Sequence, residues 1–191
     1  MRCRRFLLSV LLMSLTHVAF AQHDAHPGAD PVAPPEVQKS FDAMKGLAGN
    51  WEGPVTVDPP QPQMSDGKPL HISMRVTSRG NALVHEMQEA GTPNDPSRYD
   101  HPVTMFYVDS GHLNLVHYCD AGNRPHMVAR PSADGKSVEF DFSDISGGTG
   151  YGHMHHAVFT IIDANHHLED WTYMMPGDKP VHAHFDLKRA E

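Results

Sequence analysis

Leu113-Asn114-Leu115-Val116-His117-Tyr118-Cys119-Asp120-Ala121-Gly122-Asn123-Arg124-Pro125 begins as a strand and ends as a polar turn. Side chains alternate across a strand, so Leu113, Leu115, His117 and Cys119 share one face, with Asn114, Val116 and Tyr118 on the other. An imidazole and a thiol carried onto a leucine face mark either a binding site or a hydrogen-bonded patch of core.

Outward from this stretch the period of two persists. Leu70, Ile72, Met74 and Val76 alternate with His71, Ser73, Arg75 and Thr77, and Gly80-Asn81 turns the chain into a returning strand, 82–90. Strands 102–108 and 112–119 are joined by Asp109-Ser110-Gly111, and 124–130 follows the polar turn. Ala133-Asp134-Gly135-Lys136 leads into Val138, Phe140 and Phe142, and residues 143–150, with Gly147, Gly148 and Gly150, read as a rim loop. Strands 153–163, 167–175 and 181–188 close the series; Gly49-Asn50-Trp51 opens it after a short helix, 35–45, with Val37, Phe41 and Met44 on one stripe. The fold class is all-β: an up-and-down antiparallel barrel of about ten strands with a short N-terminal helix. Closure removes exposed sheet edges, and a barrel of this strand number is expected to enclose a cavity.

The N-terminus bounds the compartment. Arg2, Arg4 and Arg5 precede an apolar stretch, 6–20, and Ala19-Phe20-Ala21 supplies a small-x-small cleavage site, so residues 1–21 read as a secretory signal peptide. The stretch is too short and too interrupted to span a bilayer, so no membrane insertion is expected. The mature chain would be secreted, or periplasmic in a Gram-negative host. It would carry 12 basic against 23 acidic residues, a charge of −11 with histidine neutral, which excludes nucleic acid as a partner. It would keep Cys119 as its one cysteine, so no internal disulfide forms. Residues 22–34 lack periodicity and read as a disordered leader in which His23, Asp24 and His26 offer weak metal ligands; 35–191 form one domain.

Gly49-Asn50-Trp51 after a short helix, with Arg189 just past Phe185 and Leu187, resembles the Gly-x-Trp and floor-closing arginine of the calycin group: lipocalins, fatty-acid-binding proteins and nitrobindin-like haem barrels. That resemblance implies a ligand-holding barrel. His117-Tyr118-Cys119 followed by Asn123-Arg124-Pro125, with Gly152-His153-Met154-His155 downstream, is similar to a family of exported bacterial proteins of unknown function, which implies the barrel and no activity.

Candidate chemistry gathers on few residues. Counting back from Ala157, Phe159 and Ile161 puts His155 and His153 on the inner face, unless a bulge breaks the count. With His117 they would suit haem or a transition metal. Asn123 and Arg124 would grip a carboxylate or phosphate, or else cap the turn and pair with a surface acid. Glu86 faces inward or outward, and inside it needs Arg75 or a histidine. Trp171, sharing a face with Glu169 and Tyr173, belongs to a lumen wall or an outer aromatic patch. Of the 11 methionines, Met74, Met87, Met105, Met127, Met154, Met174 and Met175 are spread one or two per strand and read as adaptable cavity lining. No P-loop, nucleophile elbow, dinucleotide fingerprint or CxxC pair occurs. Three functions stay open. The first is a binder of a largely apolar small molecule, contacted by His117, Asn123, Arg124, His155, Glu86 and Trp171. The others are a haem or metal protein through His117, His153 and His155, and a cavity isomerase or cyclase with Glu86 or His117 as base. The residues favour a binder over an enzyme.

Overall fold

A computed structural model of the chain describes residues 32–61, 68–131 and 135–190; the expected signal peptide, the expected leader up to residue 31 and residues 132–134 of the expected Ala133-Asp134 turn lie outside these. One helix, α1 (Pro35–Lys45), precedes eleven strands: β1 (Gly49–Gly53), β2 (Val55–Asp58), β3 (Leu70–Thr77), β4 (Ala82–Glu89), β5 (Val103–Asp109), β6 (His112–Tyr118), β7 (Arg124–Pro131), β8 (Ser137–Ser146), β9 (His153–Asp163), β10 (His166–Met175) and β11 (Lys179–Arg189). From β3 to β11 every strand pairs antiparallel with its successor, and β1 closes the wall by pairing with both β3 and β11. The barrel thus has ten strands plus one extra: β2 continues along β11 where Pro54, which has no N–H to give, interrupts β1.

Local chemistry explains the elements. Proline supplies the pre-set φ for the first turn of α1, and Val37, Phe41 and Met44 bury its apolar stripe against β5, β6 and β7. Helix α1 therefore plugs the end of the barrel that holds the β5–β6 hairpin. That hairpin turns on Ser110 and Gly111, both at positive φ (51° and 78°), the combination a two-residue turn needs to match strand twist. The β3–β4 connection is longer than the expected Gly80-Asn81 pair, because Ser78–Gly80 form a 3-10 turn. Strand β8 runs on through Ser146, beyond the expected end near Phe142, and β2 was not anticipated.

The expected hollow centre is filled. Trp51, Phe106, Leu115, Met127, Phe140 and Phe159 are all wholly buried, and Phe106, Phe140 and Phe159 meet edge-on or tilted with centroids 5.4–6.0 Å apart. Large rings take up the width that a ten-strand wall would otherwise leave open, each worth about 1.5–3 kcal/mol of burial. Open space is left to the end opposite α1. At the plugged end, the Arg189 guanidinium lies 4.2 Å above the Trp51 ring and bonds the carbonyls of Ala48 and Ala164, while Trp51 Nε1 donates to the Leu47 carbonyl (2.8 Å). Gly53 is equally constrained. A Cβ there would sit 1.9 Å from the Asp186 carbonyl oxygen, so Gly53→Ala is expected to cost about 3 kcal/mol in a urea titration. A loss below about 0.5 kcal/mol would show that β1 shifts freely.

Candidate functional site

Inside the barrel, four neighbouring strands present one residue each at the same level. Met74 pairs with His85, His85 with Thr104, and Thr104 with His117. Ladder pairing thus lines His85, Thr104 and His117 along the inner wall, and all three are buried. The Thr104 hydroxyl and His117 Nδ1 share a 2.8 Å hydrogen bond.

Strand β10 faces this row with His167, Glu169 and Trp171, one on every second residue. The Glu169 carboxylate has no exposure and receives three N–H groups: His85 Nε2 at 3.1 and 3.3 Å, His167 Nε2 at 3.0 Å and Trp171 Nε1 at 2.9 Å. Trp171 bridges the two halves, its ring 5.9 Å from that of His85 and 5.8 Å from that of His117. Below, His167 sets its edge on Trp51 at 4.3 Å. A continuous polar column therefore crosses a core otherwise built from aromatic rings.

Its electrostatics follow from burial. Burial opposes ionisation of Glu169, but the facing His85 and the hydrogen bonds from His167 and His85 outweigh it and hold the carboxyl down at about 2. His117 has no carboxylate beside it; burial, then the neighbouring His85, push it down to about 3, so it is a neutral imidazole in water of ordinary pH. The Nδ1 atoms of His85 and His167 are buried without a hydrogen-bond partner.

At the end away from α1, a cleft of about 490 Å³ lies between residues 96–101 and 118–120. Tyr99, Tyr118 and Cys119 give it apolar surface, and Asp100 and Asp120 give it acid. Burial and then Asp120 push the Asp100 carboxyl up, and burial pushes the Cys119 thiol up, so the thiol is no activated nucleophile. Cys119 is two residues on from the buried His117, and neither His117 nor Trp171 lines the cleft.

The expected residues divide. His117 and Trp171 belong to the inner site. Asn123 is buried, but its Nδ2 is occupied by the carbonyls of Gly148 (2.9 Å) and Gly152 (2.7 Å), so it pins the rim loop. Arg124 Nε donates to Ser146 Oγ at 3.0 Å on the outside. Glu86 is exposed and lines a second hollow of about 250 Å³ on the outer wall, because β4 turns His85 inward instead. His153 and His155 do come together, Nε2 to Nδ1 at 3.3 Å, but His117 does not join them. A shift in the β9–β10 ladder between Thr172 and Tyr173 sets Met154, and not His155, opposite Tyr173, so the count from Phe159 fails there. Among the described residues, the set of three acidic, histidine or cysteine side chains with ligand atoms within 4.8 Å of one another is Glu139, Asp141 and His156, and Arg130 already pairs with both of its carboxylates. His85, Thr104 and His167 were missed; Glu169 was noticed only as a neighbour of Trp171.

No family model matches the chain, and no curated protein matches it. Among solved structures the chain is similar to Rv2717c from M. tuberculosis, with 15% identity, a TM-score of 0.56, and 83% of this chain and 99% of that one covered. It is also similar to a protein of unknown function from the DUF3598 family of Nostoc punctiforme, at 8% identity and a TM-score of 0.52, over 77% of this chain and 48% of the other. At these identities the likeness is one of fold.

Proposed function

We propose that the protein is an exported, calycin-like small-molecule binder that seats its ligand at the end of the barrel away from α1. The ligand is largely apolar, with a polar group that reaches the cleft. The observation that carries this reading is the fully buried polar column ending in His117 and Trp171, with a cleft of about 490 Å³ beside the next residues of the chain, 118–120, at the same end of the barrel. A closed wall with a fixed polar floor and one open end is the usual build of a small-ligand site. Half-buried Phe142, Met154 and Tyr173 supply an apolar surface at the same end. Export is supported by the basic, apolar and small-residue order of residues 1–21, and the calycin-like build by Arg189 stacked on Trp51.

The test uses the two tryptophans as internal reporters. Trp171 lies under the open end and Trp51 at the plugged end, so Nile red binding is expected to quench roughly half of the indole emission with one-to-one stoichiometry. Trp171→Phe should abolish the quench. Protein that neither binds the dye nor releases organic material into solvent extracts from its native host would overturn the reading.

A further inference from the structure

The ladder between β8 and β9 stops short. Its last pair is Asp141 with His156; beyond it, Phe142 and residues 144–146 pair with β7, and His153 and Met154 pair with β10. The wall therefore has a seam at its open end, where two adjacent strands lie side by side without backbone bonds between them. Side chains fill it. Phe142 stacks on His155 (5.1 Å, 20° between planes) and touches His153 at 4.7 Å, and the two imidazoles meet at 3.3 Å. The connection across the seam, 147–152, is rich in glycine and held by the two Asn123 hydrogen bonds; the Asn123 Oδ1 is buried without a partner.

We propose that this seam is the way in for the ligand, that Phe142, His153 and His155 form its gate, and that acid opens it. The inference rests on the binding role given above and adds its route and control. No ladder bond ties β8 to β9 there, so each strand end opens by fraying from its outer neighbour alone, β8 from β7 and β9 from β10. The N···N contact holds a single hydrogen. One imidazole donates and the other accepts, and a second proton sets two cations at 3.3 Å with no acceptor between them. Among the described residues no carboxylate is in hydrogen-bond contact with either ring to offset that repulsion. From β8 the gate meets the Phe142 ring; from β10 it meets Tyr173, whose hydroxyl donates to the Tyr151 carbonyl, and Met174. From the β6–β7 turn come Asn123 and Arg124, the latter turned to Ser146, and Cys119 and Asp120, which act on Tyr173. The nearby acids are engaged elsewhere: Asp141 and Glu139 with Arg130 and His156, and Asp144 with His126. Burial and the neighbouring His155 already lower the affinity of His153 for a proton, in keeping with the same repulsion.

Hydrogen exchange on the free protein tests the gate without any ligand. With rates corrected for intrinsic pH dependence, amides of 142–146 and 153–155 are expected to open about tenfold more often at pH 5.5 than at pH 7.5. The β5–β6 hairpin serves as the reference for global loosening. His155→Phe keeps the stack on Phe142, and should leave the seam shut at both pH values; His153→Phe should do the same, which guards against one variant folding poorly. Acceleration that survives both replacements, or that equals the hairpin's, overturns the gate. Stopped-flow mixing with Nile red separates the two claims: a seam that opens in acid while no dye binds at either pH sinks the binding role, whereas dye that binds at a rate insensitive to pH and to His155→Phe sinks the gate.

Discussion

Glu169→Ala is expected to cost the fold about 3–5 kcal/mol, the range for removing one partner from a buried charged cluster. The reason lies in what remains. His85, His167 and Trp171 would each keep an N–H aimed at the place the carboxylate leaves, inside a region with no exposure. Each buried donor without an acceptor costs about 1–3 kcal/mol. Against a total stability of about 5–15 kcal/mol for a domain, the variant stands near the limit of folding. Glu169→Gln should fall in between, since its carbonyl still accepts two donors while its amide opposes the third. Urea midpoints for the three proteins decide the matter. A loss under about 1 kcal/mol for the alanine variant would mean that the column is decoration and that the core rearranges around it.

The second large effect is a steep loss of stability in mild acid, traced to His117. Its proton affinity in the fold is pushed down to about 3 by burial and by His85, against about 6.5 in an unfolded chain. Between those values the unfolded chain binds a proton that the folded chain refuses. Stability therefore rises with pH across that window and falls as pH drops through it, by about 1.4 kcal/mol per unit and about 5 kcal/mol in all. Glu169 adds to the loss lower down. Its folded value of about 2 lies below the usual carboxylate range, so its contribution is present above about 4.3 and fades as pH approaches 2. His117→Gln, which retains a bond to Thr104, is expected to flatten the profile between pH 6 and 4. Urea midpoints across that interval give the slope; equal slopes for both proteins would locate the acid sensitivity elsewhere.

Much of the wall was readable because one face of most strands is apolar and the other is not. In β6, Leu113 and Leu115 carry His117 inward with them, and the structure agrees. In β4 the rule has nothing to act on, since Ala82, Leu83, Val84 and His85 are all buried; Glu86 and His85 were equal candidates until pairing with Thr104 decided for His85. The Glu169 cluster was hidden for another reason. A glutamate in a strand reads as an outward residue unless its donors are seen, and His85 stands 84 residues away in the chain. Within β10 a trace was present: His167, Glu169 and Trp171 share one parity, so three hydrogen-bonding groups already stood on one face. At β9 the alternation itself misled, because a one-residue slip in the ladder near His155 leaves no mark in hydrophobicity.

The outer wall carries cross-links of its own. Glu52 and His71, Asp144 and His126, Asp141 and His156, and Asp170 and His184 stand directly opposite one another on adjacent strands. Each pair is in contact, at 2.6–3.2 Å. Each contact ties two neighbouring strands together on the solvent side, so the wall is laced outside as well as packed within. Trimming one of these four carboxylates therefore loosens two strands at once while leaving the core untouched.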